Sequence, residues 1–534
     1  MSESSKKQNF LHGAALLAIA TALVKVIGAL YKIPLRAVIG DQGYGYFITA
    51  YDIYSVLLLI SNAGLPIAMS RMISQATSLG RYNQVRRIYK VSRTVFIVLG
   101  TVSTLIMVLF CHQLAAFQKQ PNAWAAILCL DPCALIMAIM CVYRGFFQGQ
   151  SNMGPTSVSQ VLEALFKLLV GLAIAVLIMR SLNDVPLAAG GAIIGVTVGC
   201  LVAMVYLFFK FRPAYKALPQ TGETPDSYKV ITKNLLAIAV PITIGSAGLQ
   251  MLTVLETNLY MGQLLTANGL SQQTADITKG IYNMSQTIFN LPCAFIIPIT
   301  VSVLPAVTSF LTLDDHKGVC ATEESAARIT GLLSLPCAVG LFILGGPVMS
   351  LLGGYDAEWI GLAGTLMSIL GICVFPYAII QYTNSLLQAH GYAQVPVINM
   401  LVCGVVKLAG VYLLVGNPAL GIVGAPICAV LSYGCIAVLN LLALRKLVPQ
   451  RPKLFTNMLR PLLPAAIMGA VVYGIYWALQ QVLGADGSRV ILCGVPILIG
   501  AAVYFVAVVV FKAITREDCQ LLPKGDKIAK LLHL

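Results

Sequence analysis

Thr156 to Arg180 reads TSVSQVLEALFKLLVGLAIAVLIMR, and Pro186 to Phe209 reads PLAAGGAIIGVTVGCLVAMVYLFF. Each is long enough to cross a hydrocarbon core about 30 Å thick as a helix, which takes about 20 residues. The first carries only Glu163, Lys167 and, at its end, Arg180; the second carries no charge. In lipid every backbone N–H and C=O has to be satisfied within the segment, so this pair reads as a helical hairpin. Working outward, stretches of the same character occupy 11–33, 45–69, 94–117, 123–147, 235–263, 279–311, 328–352, 358–386, 396–416, 419–444, 461–483 and 489–513. The 534 residues are 58% hydrophobic and 10% charged, whereas soluble domains carry roughly 25% charged residues. The expected fold is all-α and integral to the membrane, with about 14 transmembrane helices.

The formal net charge of +15 raises the question of nucleic acid, and its distribution answers it. Arg71, Arg81, Arg86, Arg87, Lys90 and Arg93 lie between spans 2 and 3, and Lys210, Arg212, Lys216, Lys229 and Lys233 lie between spans 6 and 7. Arg445, Lys446, Arg451, Lys453 and Arg460 precede span 13, and Lys512, Arg516, Lys524, Lys527 and Lys530 follow span 14. The alternate loops are short and nearly neutral, with Lys119, then Arg180 and Asp184, then Asp356 and Glu358, then Asp486 and Arg489. This is the asymmetry of the positive-inside rule, which places both termini in the cytoplasm and leaves no excess to explain by nucleic acid. Met1 to Asn9 is short and polar, so the first apolar run reads as a retained span rather than a cleaved signal. The tail 514–534 alternates Leu and Ile with Lys and is expected to lie on the cytoplasmic surface as an amphipathic helix.

Two segments recur. Gln148, closing span 4, is followed by Lys167 in span 5; Gln388, near the end of span 10, is followed at the same separation by Lys407 in span 11. Leu65-Pro66-Ile67-Ala68-Met69-Ser70 in span 2 matches Leu304-Pro305-Ala306-Val307-Thr308-Ser309 in span 8. Both place the repeat six spans apart, an even offset that preserves orientation, so the halves are parallel repeats. The expected organisation is an N-lobe over 1–209, a cytoplasmic linker over 210–234, a pseudo-symmetric six-helix C-lobe over 235–444, and an appended pair of spans over 445–513. Two lobes around a central site suit alternating access.

Ionisable residues inside a span mark cavities or ion pairs. Lys25 lies near the middle of span 1; Lys32 falls seven residues later on the same face, Gly28 and Ala29 leave that face open, and Arg36 continues the line outward. This stripe is read as an anion-binding surface. Glu163 and Lys167 form an i,i+4 pair in the favourable order, either a self-neutralising pair or part of a cavity. Lys407 occupies the repeat-related position with Cys403 in place of the acid. Glu256 is its candidate partner, and Glu256 with Asn399 could form a cation or ion-pair site. Asp52 and Asp131 sit nearer the outer side. The 14 cysteines lie mostly in spans without a CxxC pair and read as small apolar filler; no metal is expected. There is no Walker A, GxSxG or HExxH motif, so an enzyme is not expected. Transport would draw on Na⁺, H⁺, the membrane potential or the substrate's own gradient, with no resident cofactor.

Asn9-Phe10-Leu11-His12-Gly13, Lys25-Val26-Ile27-Gly28, Gly64-Leu65-Pro66-Ile67-Ala68-Met69-Ser70, Arg144-Gly145-Phe146-Phe147-Gln148-Gly149-Gln150 and Gly421-Ile422-Val423-Gly424-Ala425 resemble the polysaccharide-export branch of the MOP flippase superfamily. The match is nearest the SpoVB / YtgP group, which includes MurJ-type lipid II flippases, and covers residue 9 to about 510. The resemblance implies a fourteen-helix, two-lobe flippase in the bacterial cell membrane, carrying an undecaprenyl-pyrophosphate-linked sugar, with lipid II first, from the inner to the outer leaflet as a monomer. It places Lys25 at the first pyrophosphate-holding position and Tyr31, with Lys32 beside it, at the second. The family's further arginine early in span 8 has no counterpart in Tyr282-Asn283-Met284-Ser285-Gln286. Charge-assisted hydrogen bonds from Lys or Arg suit a pyrophosphate, and Lys167 or Lys407 could compensate for the missing arginine. Two alternatives stand beside this reading: an ion-coupled multidrug or cation antiporter of the same superfamily, and a non-transporting membrane scaffold for cell-wall or spore assembly.

Overall fold

The computed structural model describes residues 3–62, 64–150, 152–312, 314–355, 357–448, 453–483 and 488–514. The Lys25 side chain, Asp356, Asp486 and the tail from 515 onward lie outside the described residues and side chains. Among the described residues there is no strand. Ten helices there are long and apolar enough to cross a membrane, and large apolar side chains stay exposed along them, such as Leu165, Leu169 and Leu177, then Val405, Val406 and Leu413. A water-soluble monomer rarely tolerates such continuous apolar surface. The protein is a multi-pass membrane protein.

α1 (Glu3–Asn62) takes in the first expected span and most of the second, with no open loop between them. The turn is made at Gly40, at φ 68 and ψ 178, a region open essentially to glycine alone. The second expected span, 45–69, is split, because α2 (Gly64–Ser78) begins afresh at Gly64. Pro66 lacks an N–H and is tolerated in a first turn but not in a helix interior. α3 (Tyr82–Phe117), α4 (Trp124–Gly149), α5 (Gly154–Ser181), α6 (Val185–Lys216) and α7 (Tyr228–Thr266) follow. The Asp184 and Ser227 side chains accept from Leu187 N and Val230 N and cap α6 and α7.

Beyond α8 (Gln272–Thr312) run α9 (His316–Ile343), α10 (Gly345–Gly353), α11 (Ala357–Ala389), α12 (Gln394–Val415), α13 (Gly424–Leu447), the short α14 (Leu454–Leu459), α15 (Leu462–Leu483) and α16 (Arg489–Val510). The ninth expected span, 328–352, is two helices, because Gly345, Gly346 and Pro347 interrupt it. α9 also starts earlier than expected, capped by Asp315, whose Oδ1 accepts from Gly318 N at 2.9 Å.

Two compact units divide the chain at Asn283 and Met284, inside α8. In the first, α6 lies hard against α5. A Cβ on Gly195 would sit 2.3 Å from the Gly171 backbone, and one on Gly199 would sit 2.5 Å from Glu163 O. Small residues one turn apart permit this approach, as in membrane helix pairs generally. In the second unit, Tyr382, Leu386, Leu387, Ile436 and Met458 form a core shared by α11, α13 and α14. α4 ends at Gly149 and α5 starts at Gly154, and α11 ends at Ala389 and α12 starts at Gln394.

Candidate functional site

The close α5–α6 packing sets one wall of a cavity of about 290 Å³ in the first unit, lined by Gly28 and Tyr31 of α1, Arg144 of α4, and Gln160, Glu163 and Lys167 of α5. A Cβ on Gly28 would meet nothing within 4 Å, so the α1 face is open there. The Glu163 Oε2 accepts from the Arg144 guanidinium at 2.9 Å, with the two side chains 23% and 12% exposed, and Arg144 Nε donates to Ser159 Oγ at 3.0 Å. Glu163 thus pairs with Arg144 between α4 and α5 and stays in electrostatic reach of Lys167. Arg144 stands in the run quoted above for its resemblance, but its pairing is not legible in the sequence, since its partner lies across a loop.

Lys167 is held by aromatic faces. Its Nζ lies 4.5 Å from the centre of the Tyr51 ring and 5.5 Å from that of Tyr31. Such cation–π contacts stabilise a charge without neutralising it. Tyr31 is fixed in turn, donating its hydroxyl to Ala192 O on α6 at 3.0 Å and packing edge-on against Phe47. Lys32 is in electrostatic reach of both Lys167 and Asp52. Asp52 in turn faces Lys279 and Glu256. Arg36 does not extend this cationic line. Asp41 grips it through two hydrogen bonds, at 2.8 and 2.5 Å, across the Gly40 turn, a bidentate geometry favoured by guanidinium and carboxylate.

Lys279 was missed in the sequence because it is the first residue of an expected span, where a lysine reads as an interfacial end. It is fully buried. Its ammonium donates to Gln120 Oε1 at 2.9 Å and to Thr49 Oγ1. Gln120 Nε2 and the Tyr46 hydroxyl each donate to Asp276, both at 3.0 Å. The one available signal was Asp276 three residues earlier, on the same helical face.

Lys407 and Asn399 belong to the second unit. Lys407 Nζ stands 6.0 Å from the Tyr433 ring centre. Asn399 donates to Asn440 Oδ1 at 2.9 Å, and Asn440 donates to Asn384 and Thr383 at 2.9 and 3.0 Å. These amides form a network in the second unit. Glu256, on α7, belongs to the first unit and is in electrostatic reach of Asp52. Among the described residues no group of three or more His, Cys, Asp or Glu is placed to hold a metal.

Outside the spans, the basic start of α3 grips the 217–227 connection. Arg81 pairs with Glu223 at 3.3 Å and Asp226 at 3.1 Å. Those carboxylates, the Asp226 hydrogen bond first, hold its guanidinium above its ordinary range. Arg86 donates to Leu218 O at 2.6 Å, and Arg87 to Pro225 O at 3.2 Å.

The model of the polysaccharide biosynthesis protein family matches residues 10–311. The chain belongs to that family. It falls within the MOP superfamily, and the MatE model matches residues 275–413. It is 24% identical over 527 residues to stage V sporulation protein B of Bacillus subtilis (strain 168), covering 97% of this chain and 98% of the relative. It is 23% identical over 516 residues to lipid II flippase MurJ of the same organism, covering 92% and 94%. Among solved structures, lipid II flippase MurJ in an inward closed conformation matches with a TM-score of 0.69 at 13% identity, covering 93% of this chain and 98% of that one. At that identity the likeness establishes the transporter fold.

Proposed function

We propose that this protein flips an undecaprenyl-pyrophosphate-linked sugar, lipid II first among candidates, from the inner to the outer leaflet of the bacterial cell membrane. The observation that carries the reading is Lys167: a cation in a cavity among the spans, cradled by Tyr31 and Tyr51 while Glu163 is engaged by Arg144. Lys32 adds to the positive potential at Lys167, and Glu163 offsets part of it. A pyrophosphate offers the oxygens and the negative charge that such a site selects. In the second unit an apolar groove of about 700 Å³ runs between α8, α9, α15 and α16, with Leu291, Leu333, Met468 and Phe505 on its walls. Such a groove suits a polyprenyl tail. The likeness to lipid II flippase MurJ supports the same substrate class. In this reading fourteen spans form two lobes and an appended pair, both termini are cytoplasmic, and one chain suffices.

The test is flipping of fluorescent lipid II in proteoliposomes. The wild type is expected to transport. Lys167→Ala and Lys25→Ala are each expected to lower the rate by at least about tenfold, the loss of one charge-assisted contact to phosphate. Transport unaffected by both substitutions rejects the cationic site. No transport by folded protein moves the proposal to other lipid-linked sugars. The MatE match favours a second reading, antiport of a cationic drug; it predicts dye efflux that depends on Asp52 and is indifferent to Lys167.

A further inference from the structure

The second unit contains a buried acid–base pair that the transport site does not use. Glu323, in the third turn of α9, is fully buried, and its Oε1 lies 2.7 Å from His390 Nε2 just past the end of α11; the two side chains are 1% and 6% exposed. Glu323 Oε2 has no hydrogen-bond partner among the described residues. The Tyr382 hydroxyl donates to the Glu323 backbone oxygen at 2.5 Å and fixes this turn against α11. Glu323 also lines a cavity of about 590 Å³ with Arg445 of α13 and Lys453 before α14. These helix ends are the ones that the charge rule assigns to the cytoplasm.

We infer that Glu323 and His390 form a proton-binding site, loaded from the cytoplasmic side through this cavity, that couples a proton gradient to transport. The site exchanges one proton. Loaded, an imidazolium faces a carboxylate; unloaded, a neutral imidazole donates Nε2–H to the same carboxylate, and the released proton leaves as hydronium through the cavity. Histidine is the side chain suited to this exchange near neutral pH. The surroundings make the change matter. Cys320 and Glu324 lie on the same helix, with Tyr382 on α11, Arg445 on α13 and Lys453 beside α14. Glu324 is occupied by the Lys453 backbone N–H at 3.1 Å, and Arg328 by Asn457 at 3.3 Å. Loss of the proton leaves a buried negative charge that lines the same cavity as Arg445 and Lys453. A strong link between the start of α9 and the end of α11 becomes a weaker one, and a two-state transporter is biased by that difference.

The proton site is tested without substrate, so its failure is separable from failure of the flippase reading. In pH-titrated infrared difference spectroscopy of the purified full-length protein, the wild type should show a carboxyl or imidazolium band that is lost in both Glu323→Gln and His390→Gln. A band unchanged by either substitution makes the pair structural and overturns the proposal. If Glu323→Gln does not fold, His390→Gln, whose amide can still donate to Glu323, carries the test alone. In proteoliposomes carrying lipid II, an imposed pH gradient should change the wild-type rate severalfold and the His390→Gln rate not at all. Equal gradient responses reject the coupling role.

Discussion

Four residues separate Glu163 from Lys167, a spacing that invites an ion pair along one helix, yet the carboxylate is taken by Arg144 from α4. The winning partner presents a planar fork and is oriented by Ser159, whereas the lysine gains more from the faces of Tyr31 and Tyr51. Arg144→Gln should therefore leave a partly buried carboxylate short of its partner and lower stability by about 2 kcal/mol. Adding Glu163→Gln should restore most of that loss, since the cost lies in the orphaned charge rather than in the pair. Denaturant unfolding in detergent of the two single variants and the double completes the cycle; additive losses would show that the two side chains do not act together. The spacing of Glu163 and Lys167 was legible in the sequence. The engagement of Arg144 was not, because a pairing between helices depends on how far one has slid along the other.

At the scale of elements, glycine and proline decide what hydropathy leaves open. Gly40 turns one long helical run back on itself, Pro66 starts α2, and Gly345 with Pro347 separates α10 from α9; each moves an element boundary that hydropathy places elsewhere. Gly191, Gly195 and Gly199 lie one turn apart on α6 and let it settle on the α5 backbone beside Glu163 and Lys167. Gly195→Val should push these helices apart at a cost of about 3 kcal/mol, read as a lower unfolding temperature and loss of a monodisperse gel-filtration peak. Gly28→Ala is the matching control, since its Cβ meets open space; it should fold as the wild type does. An unaffected Gly195→Val would mean that α5 and α6 are not held at this distance.

At the scale of the whole molecule, the basic segment at the start of α3 bears on sidedness and also on architecture. Several of its arginines hold the connection between α6 and α7, through Glu223, Asp226 and backbone carbonyls. Arg81→Ser should leave membrane orientation unchanged, because many other cations vote the same way. It should make the 217–227 stretch cleave severalfold faster under limited proteolysis in detergent, and cleavage at the wild-type rate would show that the clasp does not restrain it.

The amino-acid order alone determined that this is a helical membrane protein of the polysaccharide-export kind with cations among its spans. The helical membrane character follows from composition within short windows and from a solvent that accepts only internally bonded backbone, and the kinship follows from the motifs quoted above. Only the tertiary structure decided how the charges are shared: Arg36 with Asp41, Arg144 with Glu163, Lys279 with Gln120 and Thr49, and His390 with Glu323. In an apolar surround a charge goes to whichever partner the packed helices bring within reach. That reach is set by helix register and close glycine contacts, not by separation along the chain.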